Sequence, residues 1–151
     1  MNSSADELTP ALEAARSGQI EGWVHQYLLG VGKNAPFSEG LKLQPRFWLG
    51  PLEMPLDALE ICCGPDPALE FVVDAAGFER HVSGMVASLA EGWKPAPLIA
   101  SYDAGKLSIR DGNHRYEALR RSGMDRYWVV VWFNSPEEQQ AYMDLKQGRQ
   151  P

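Results

Sequence analysis

The chain has 151 residues, with 14 Lys plus Arg against 20 Asp plus Glu and a net charge of −6. That length suits one compact domain, and 44% hydrophobic with 23% charged residues excludes both wholesale disorder and a membrane-embedded protein. An acidic total also argues against a protein whose task is to neutralise the phosphates of a nucleic acid. The opening MNSSADELTP lacks the basic start and apolar centre of a secretory leader. No apolar run approaches the roughly 18 residues of a membrane span. The expected location is therefore the cytoplasm, with no membrane partner. Cys62 and Cys63 are adjacent, a poor geometry for a disulfide. With no nearby His they also make a poor zinc site, so they read as buried thiols.

In chain order, Ala5 to Ser17 reads as a short helix stopped by Gly18, and Gln19 to Leu29 as a second with Trp23 and Tyr27 on its apolar side. Gly30 and Gly32 end it. Asn34 to Pro51 is rich in Gly, Pro and aromatics and reads as a long loop, either a functional one or a clasp around the core. Lys33, Asn34 and Ser38 can lie over a pocket as a lid or simply wrap the core. Leu52, Met54 and Leu56 alternate as in a half-buried strand, confined by Pro55 to an edge, and Glu70 to Asp74 is a second short extended candidate. Phe78, Val82, Met85, Val86 and Leu89 form one stripe of a helix that stops near Gly92.

Leu98 to Tyr102 and Lys106 to Arg110 flank Asp-Ala-Gly and predict a hairpin. Asn113 to Ser122 is then a helix stopped by Gly123. Tyr127 to Phe133, with three consecutive valines, reads as a strand covered on both faces at the sheet centre. Ser135, Pro136, Glu137 and Glu138 open a polar final helix.

The informative segment is LSIRDGNHRYEALRRSG, Leu107 to Gly123. A strand that ends in a glycine turn and opens into a helix aims unpaired N–H groups and the positive end of the helix dipole at one spot, where a phosphate can bind. Arg115 in the first turn offers a guanidinium, His114 a hydrogen bond or a proton near neutral pH, Asn113 an amide, and Gly112 close backbone approach. Asp111 either holds a magnesium ion or a substrate hydroxyl, or merely caps the helix. The stretch from Lys94 to Arg126 carries a local charge of +3 against −9 for the remainder, an asymmetry that suits a small bound anion.

From Phe78 to Phe133 the order of helix, hairpin ending in Asp-Gly, helix opening His-Arg-Tyr-Glu-Ala-Leu and hydrophobic strand resembles the ParB N-terminal and sulfiredoxin superfamily. Leu52 to Leu59 (LEMPLDAL) is similar to the edge segment that precedes it there. The resemblance implies an α/β (α+β) fold, a small mixed sheet with surrounding helices. Residues 1–51 would be an N-terminal helical extension and wrapping loop, and 52–151 the nucleotide-binding domain, in one compact unit. It also implies that the turn and helix start bind nucleotide phosphates. Sulfiredoxins carry a catalytic cysteine where Asn113 stands, and an amide is no nucleophile. Partition ParB proteins carry Gly-Glu-Arg-Arg at this turn and continue into a helix-turn-helix, whereas 28 residues follow Gly123 here.

The Asp-Gly-x-His-Arg form more closely resembles the ADP-dependent free serine kinases. On that resemblance Asp111, His114 and Glu60 are the catalytic candidates, with Asp57, Asp66 and Glu70 as substitutes for Glu60. Gly112, Asn113, His114 and Arg115 would bind the phosphates of ATP, ADP or CTP, and Asp111 the magnesium. The rival expectations are a non-catalytic nucleotide-responsive module that regulates a partner, a ParB-like nuclease or DNA-associated protein, and a scaffold keeping only a remnant of the motif.

Overall fold

The computed structural model describes residues 5–148. Its elements are α1 (Thr9–Arg16), α2 (Ile20–Leu29), α3 (Ala35–Leu41), β1 (Phe47–Pro55), β2 (Cys63–Gly64), β3 (Phe71–Val72) and α4 (Ala75–Ala90), followed by β4 (Leu98–Asp103), β5 (Lys106–Asp111), α5 (Asn113–Arg121), β6 (Arg126–Phe133) and α6 (Pro136–Lys146). The fold is mixed α+β. Four strands form a sheet in the order β1-β6-β4-β5, while β2 and β3 make a separate parallel pair. The β4–β5 hairpin turns through Ala104 and Gly105, both at positive φ. Helix α5 then carries the chain back so that β6 lies parallel to β4 and antiparallel to β1. Among the described residues no helix is long and apolar enough to cross a membrane.

The alternation of side chains along a strand sorts the core into two faces. Leu98, Ala100, Val129, Val131 and Phe133 point to one side, where Leu119 of α5 and Tyr142 of α6 cover them. Ile99 and Val130 point to the other, where Val24 and Leu28 of α2 and Leu41 of α3 meet them. The three valines of β6 are all fully buried because they serve both faces in turn. On α4, Phe78 and Val82 pack against Ala118 of α5, with Met85, Val86 and Leu89 alongside.

Two expectations need correction. Asn34 to Pro51 is not a loop: Pro36 sits in the first turn of α3, where its missing N–H costs nothing, and β1 begins at Phe47. The Gly50-Pro51 interruption that hides this strand is absorbed by a register shift between Leu49 and Leu52. As a result β1 crosses the expected boundary at 51/52, and α2 and α3 form a wall of the same core. The second correction concerns Glu60, whose place among the catalytic candidates requires the edge segment to lie beside the motif. β1 and β5 occupy opposite edges of the sheet, so Leu52 to Pro55 does not lie beside the Asp-Gly turn. The chain reaches β5 only afterwards, where the Glu60 N–H donates to the Leu107 carbonyl and Ile109 N–H donates to the Glu60 carbonyl.

Ile99 is fully buried between the sheet and α2, so Ile99→Ala is expected to lower the unfolding free energy by about 2–5 kcal/mol. Urea unfolding followed by tryptophan fluorescence and by far-UV circular dichroism should show both signals moving together, since α2 and the sheet share one core.

Candidate functional site

Asp111 ends β5 where the pairing with β4 shifts, Ala100 opposing Ile109 and Ile99 opposing Asp111. The extra residue is Arg110. Without that bulge Asp111 would fall on the same face as Ile109; with it, Asp111 turns to the face of Ile99, under α2 and its following loop. There one carboxylate oxygen accepts from Asn34 Nδ2 at 2.9 Å. The other faces Arg115 Nη2 at 3.5 Å.

Gly112 follows at φ 110 as the N-cap residue of α5, and no side chain caps this helix. A Cβ at Gly112 would stand 2.8 Å from Arg115 Nη2 and 2.9 Å from a Leu98 methyl. Glycine is needed twice here, for its backbone angle and for the space above the guanidinium. Among the described residues no acceptor takes the N–H groups of Asn113, His114 and Arg115.

The structure places Arg115 inward. It is 6% exposed; Nη1 donates to the Tyr27 hydroxyl at 2.7 Å and Nη2 to the Pro97 carbonyl at 2.9 Å. Nε is buried without a hydrogen-bond partner. Burial pushes the Tyr27 phenol up, against the opposing pull of Arg115, so the hydroxyl stays protonated while its oxygen accepts. The guanidinium fork expected to grip phosphate is thus occupied by protein atoms, and Arg115 acts as a buried strut beneath the site.

Asn113 turns away as well. Its Oδ1 accepts from the Cys62 and Cys63 N–H groups at 2.9 and 3.3 Å, and its Nδ2 donates to the Ile109 carbonyl at 3.4 Å. The amide read from sequence as a ligand donor instead fastens the 62–63 segment to the turn. The Cys62 thiol donates to the Ile109 carbonyl at 2.9 Å, and burial pushes its pKa up. It is therefore an inert buried thiol. Glu60 is exposed beside β5 and does not border the cavity described below; its backbone, not its carboxylate, does the pairing.

A cavity of about 710 Å³ opens at the start of α5, bordered by Asp111, Gly112, His114 and Arg115 of the motif. The rest of its wall comes from outside that motif. Tyr27 of α2, Lys33 and Asn34 of the α2–α3 loop, Arg80, His81 and Met85 of α4, and Trp93 and Glu7 all border it. Trp93 Nε1 donates to the Glu7 carboxylate at 3.1 Å. Lys33 and Asn34 border the pocket, whereas Ser38 is fully buried and bonded to His25 Nδ1 at 2.7 Å. The available sequence signal was the spacing of His81, Gly84 and Met85 along one side of α4, and the glycines flanking the Lys33 loop.

His114 packs at a tilt against Phe78 and His81, with ring centroids 4.8 and 4.5 Å apart and interplanar angles of 35° and 36°. Burial lowers its pKa first, and the neighbouring His81 and Arg115 charges add to this, with Asp111 pulling the other way. The imidazole is neutral at pH 7, a hydrogen-bonding wall group instead of a cation.

Magnesium is ordinarily held by one or two carboxylates together with phosphate oxygens and water. The Asp111 carboxylate is already bonded by an amide and faces a buried guanidinium that would repel a dication. Among the described residues no three His, Cys, Asp or Glu side chains converge on a metal position. The residues present do not fit a protein-held magnesium ion.

No family model matches the chain, and no curated protein sequence matches it. Among solved structures the chain is similar to sulfiredoxin from Arabidopsis thaliana, at 18% identity over 61% of this chain and 94% of that one, with a TM-score of 0.43. It is also similar to the C-terminally truncated chromosome-partitioning protein ParB from Caulobacter crescentus complexed with CTP-gamma-S, at 16% identity over 68% of this chain and 56% of that one, with a TM-score of 0.41. These are partial overlaps of chain path, and the duties of individual residues follow from their own contacts.

Removing one member of the buried Asp111–Arg115 pair strands the other charge, so Arg115→Met is expected to cost about 3–5 kcal/mol of stability, measured by urea unfolding. Acidification has a definite sign. A histidine whose folded pKa is depressed contributes stability that is complete above its unfolded pKa of about 6.5 and is lost as pH falls through the lower folded value. Unfolding free energy should therefore drop from pH 7 to pH 5. His114→Gln should reduce that slope without abolishing it, since burial depresses His25 in the same direction.

Proposed function

We propose that the chain binds a nucleoside di- or triphosphate in the cavity at the start of α5. The observation that carries this reading is the conjunction, in one cavity of about 710 Å³, of an uncapped helix start at a left-handed glycine with aromatic and apolar wall residues. That volume lies within the usual range of small-molecule sites, roughly 300–1,000 Å³. A helix start with free N–H groups favours an anionic group, and Tyr27, Trp93 and Met85 supply apolar surface for the remainder of the ligand. His114, neutral and held by ring packing, adds a directional hydrogen bond. Arg115 supports the turn from below and keeps Gly112 in place.

Phosphoryl transfer to a small hydroxyl acceptor would draw on Asp111 as base. Both oxygens of that carboxylate face protein partners, Asn34 at 2.9 Å and Arg115 at 3.5 Å, and no protein-held metal fits beside it. The arrangement favours a binding module over a phosphotransferase, which corresponds to the nucleotide-responsive reading of the sequence. The acidic total disfavours a DNA-associated role.

Isothermal titration with ADP, ATP and CTP tests the proposal. At least one should bind with micromolar affinity, and Gly112→Ala should weaken it at least tenfold, because the added methyl crowds Arg115 and shifts the turn. Absence of heat and of any thermal shift with all three would overturn the reading. Nucleotide hydrolysis or transfer that Asp111→Asn abolishes would replace the binding module with an enzyme.

A further inference from the structure

We infer that two cations outside the strand-turn-helix motif, Lys33 on the α2–α3 loop and Arg80 on α4, select the ligand by its charge. The ligand class is then one with at least two linked phosphate groups, a pyrophosphate or longer, which carries more negative charge than a single phosphate monoester. This rests on the nucleotide-pocket reading above and deepens it, since the motif itself supplies too little positive charge to explain such selectivity.

The charges bordering the cavity are Lys33, Arg80 and Arg115 against Glu7 and Asp111. Arg115 faces Asp111 and spends its donors on Tyr27 and Pro97. His114 is held in its neutral form by burial and by its neighbours. Glu7 is held against the Trp93 indole. Lys33 and Arg80 are both exposed, and among the described residues neither makes an ion pair or a side-chain hydrogen bond. A monoanion can be met by the helix start alone, whose dipole is worth about half an elementary charge. Two further unpaired cations at the same cavity favour a ligand that brings more charge.

The backbone that carries Lys33 is fixed in advance. Gly32 N–H donates to the Tyr27 carbonyl at 2.8 Å and Asn34 N–H to the Leu28 carbonyl at 2.7 Å. The Asn34 side chain is bonded to Asp111. Lys33 itself sits at φ 50, a left-handed angle that non-glycine residues seldom adopt. Arg80 rides on the 16-residue helix α4. Both ammonium and guanidinium therefore start from anchored backbone, which limits the ordering cost to the side chains.

The test compares AMP, ADP and ATP by isothermal titration at one ionic strength, with the wild-type chain, Lys33→Gln, Arg80→Gln and the double variant. Both residues are exposed, so thermal midpoints should match the wild type. Wild-type affinity should rise roughly tenfold from AMP to ADP, as expected of charge-assisted contacts, and inorganic pyrophosphate should compete. Each single variant should reduce the rise, and the double variant should bind the three nucleotides within about twofold of one another. A double variant that keeps the full wild-type rise overturns the inference and leaves the pocket reading intact. A wild-type chain that binds none of the three overturns the pocket reading and this inference with it.

Discussion

A single buried guanidinium organises the site. Arg115 joins Tyr27 of α2, the Pro97 carbonyl before β4, and Asp111 at the end of β5 to its own helix α5. Burying a charge is costly unless hydrogen bonds and an opposite charge surround it, and this one collects both from three other parts of the chain. Gly112 is confined to glycine by the same group, since any side chain there would strike it. The floor of the cavity and the attachment of the N-terminal helices are therefore one problem with one solution.

The exposed cations that border the cavity, Lys33 and Arg80, come from other elements. The Arg115 guanidinium gives a bond from Nη1 to Tyr27 and one from Nη2 to Pro97 and faces Asp111, while Nε is buried, so its shown contacts serve architecture. The motif supplies the turn, the helix start and a packed imidazole. Surrounding elements supply the exposed cations and the aromatic wall. The bulge at Arg110 links the two sets by turning Asp111 toward Asn34.

Much of the fold was legible in the sequence because local chemistry and global structure agree there. The apolar stripe from Phe78 to Leu89, the Asp-Ala-Gly turn and the valine run of β6 all appear as read, and Ser135 caps α6 by accepting from the Glu138 N–H at 3.1 Å. The segment from Asn34 to Pro51 was not legible, since glycine and proline mark a loop by composition while α3 and a bulged β1 accommodate them. The site was legible in place but not in orientation. Sequence puts Arg115 and Asn113 in the first turn of α5, yet the partners that draw them inward, Tyr27 and the Cys62 N–H, lie 88 and 51 residues away. Glu60 fails for the same reason: strand order at the sheet edges decides its surroundings, and no local pattern encodes strand order.

The place of β6 in the sheet has a consequence for how the molecule comes into being. It is the latest strand along the chain, yet it is the one that β1 and β4 both require as a neighbour. Phe47 waits for Phe133 across most of the polypeptide, and contacts so distant in sequence form slowly. A chain lacking Arg126 to Phe133 would leave β1 and the β4–β5 hairpin with no strand to join them, so the four-stranded sheet could not close.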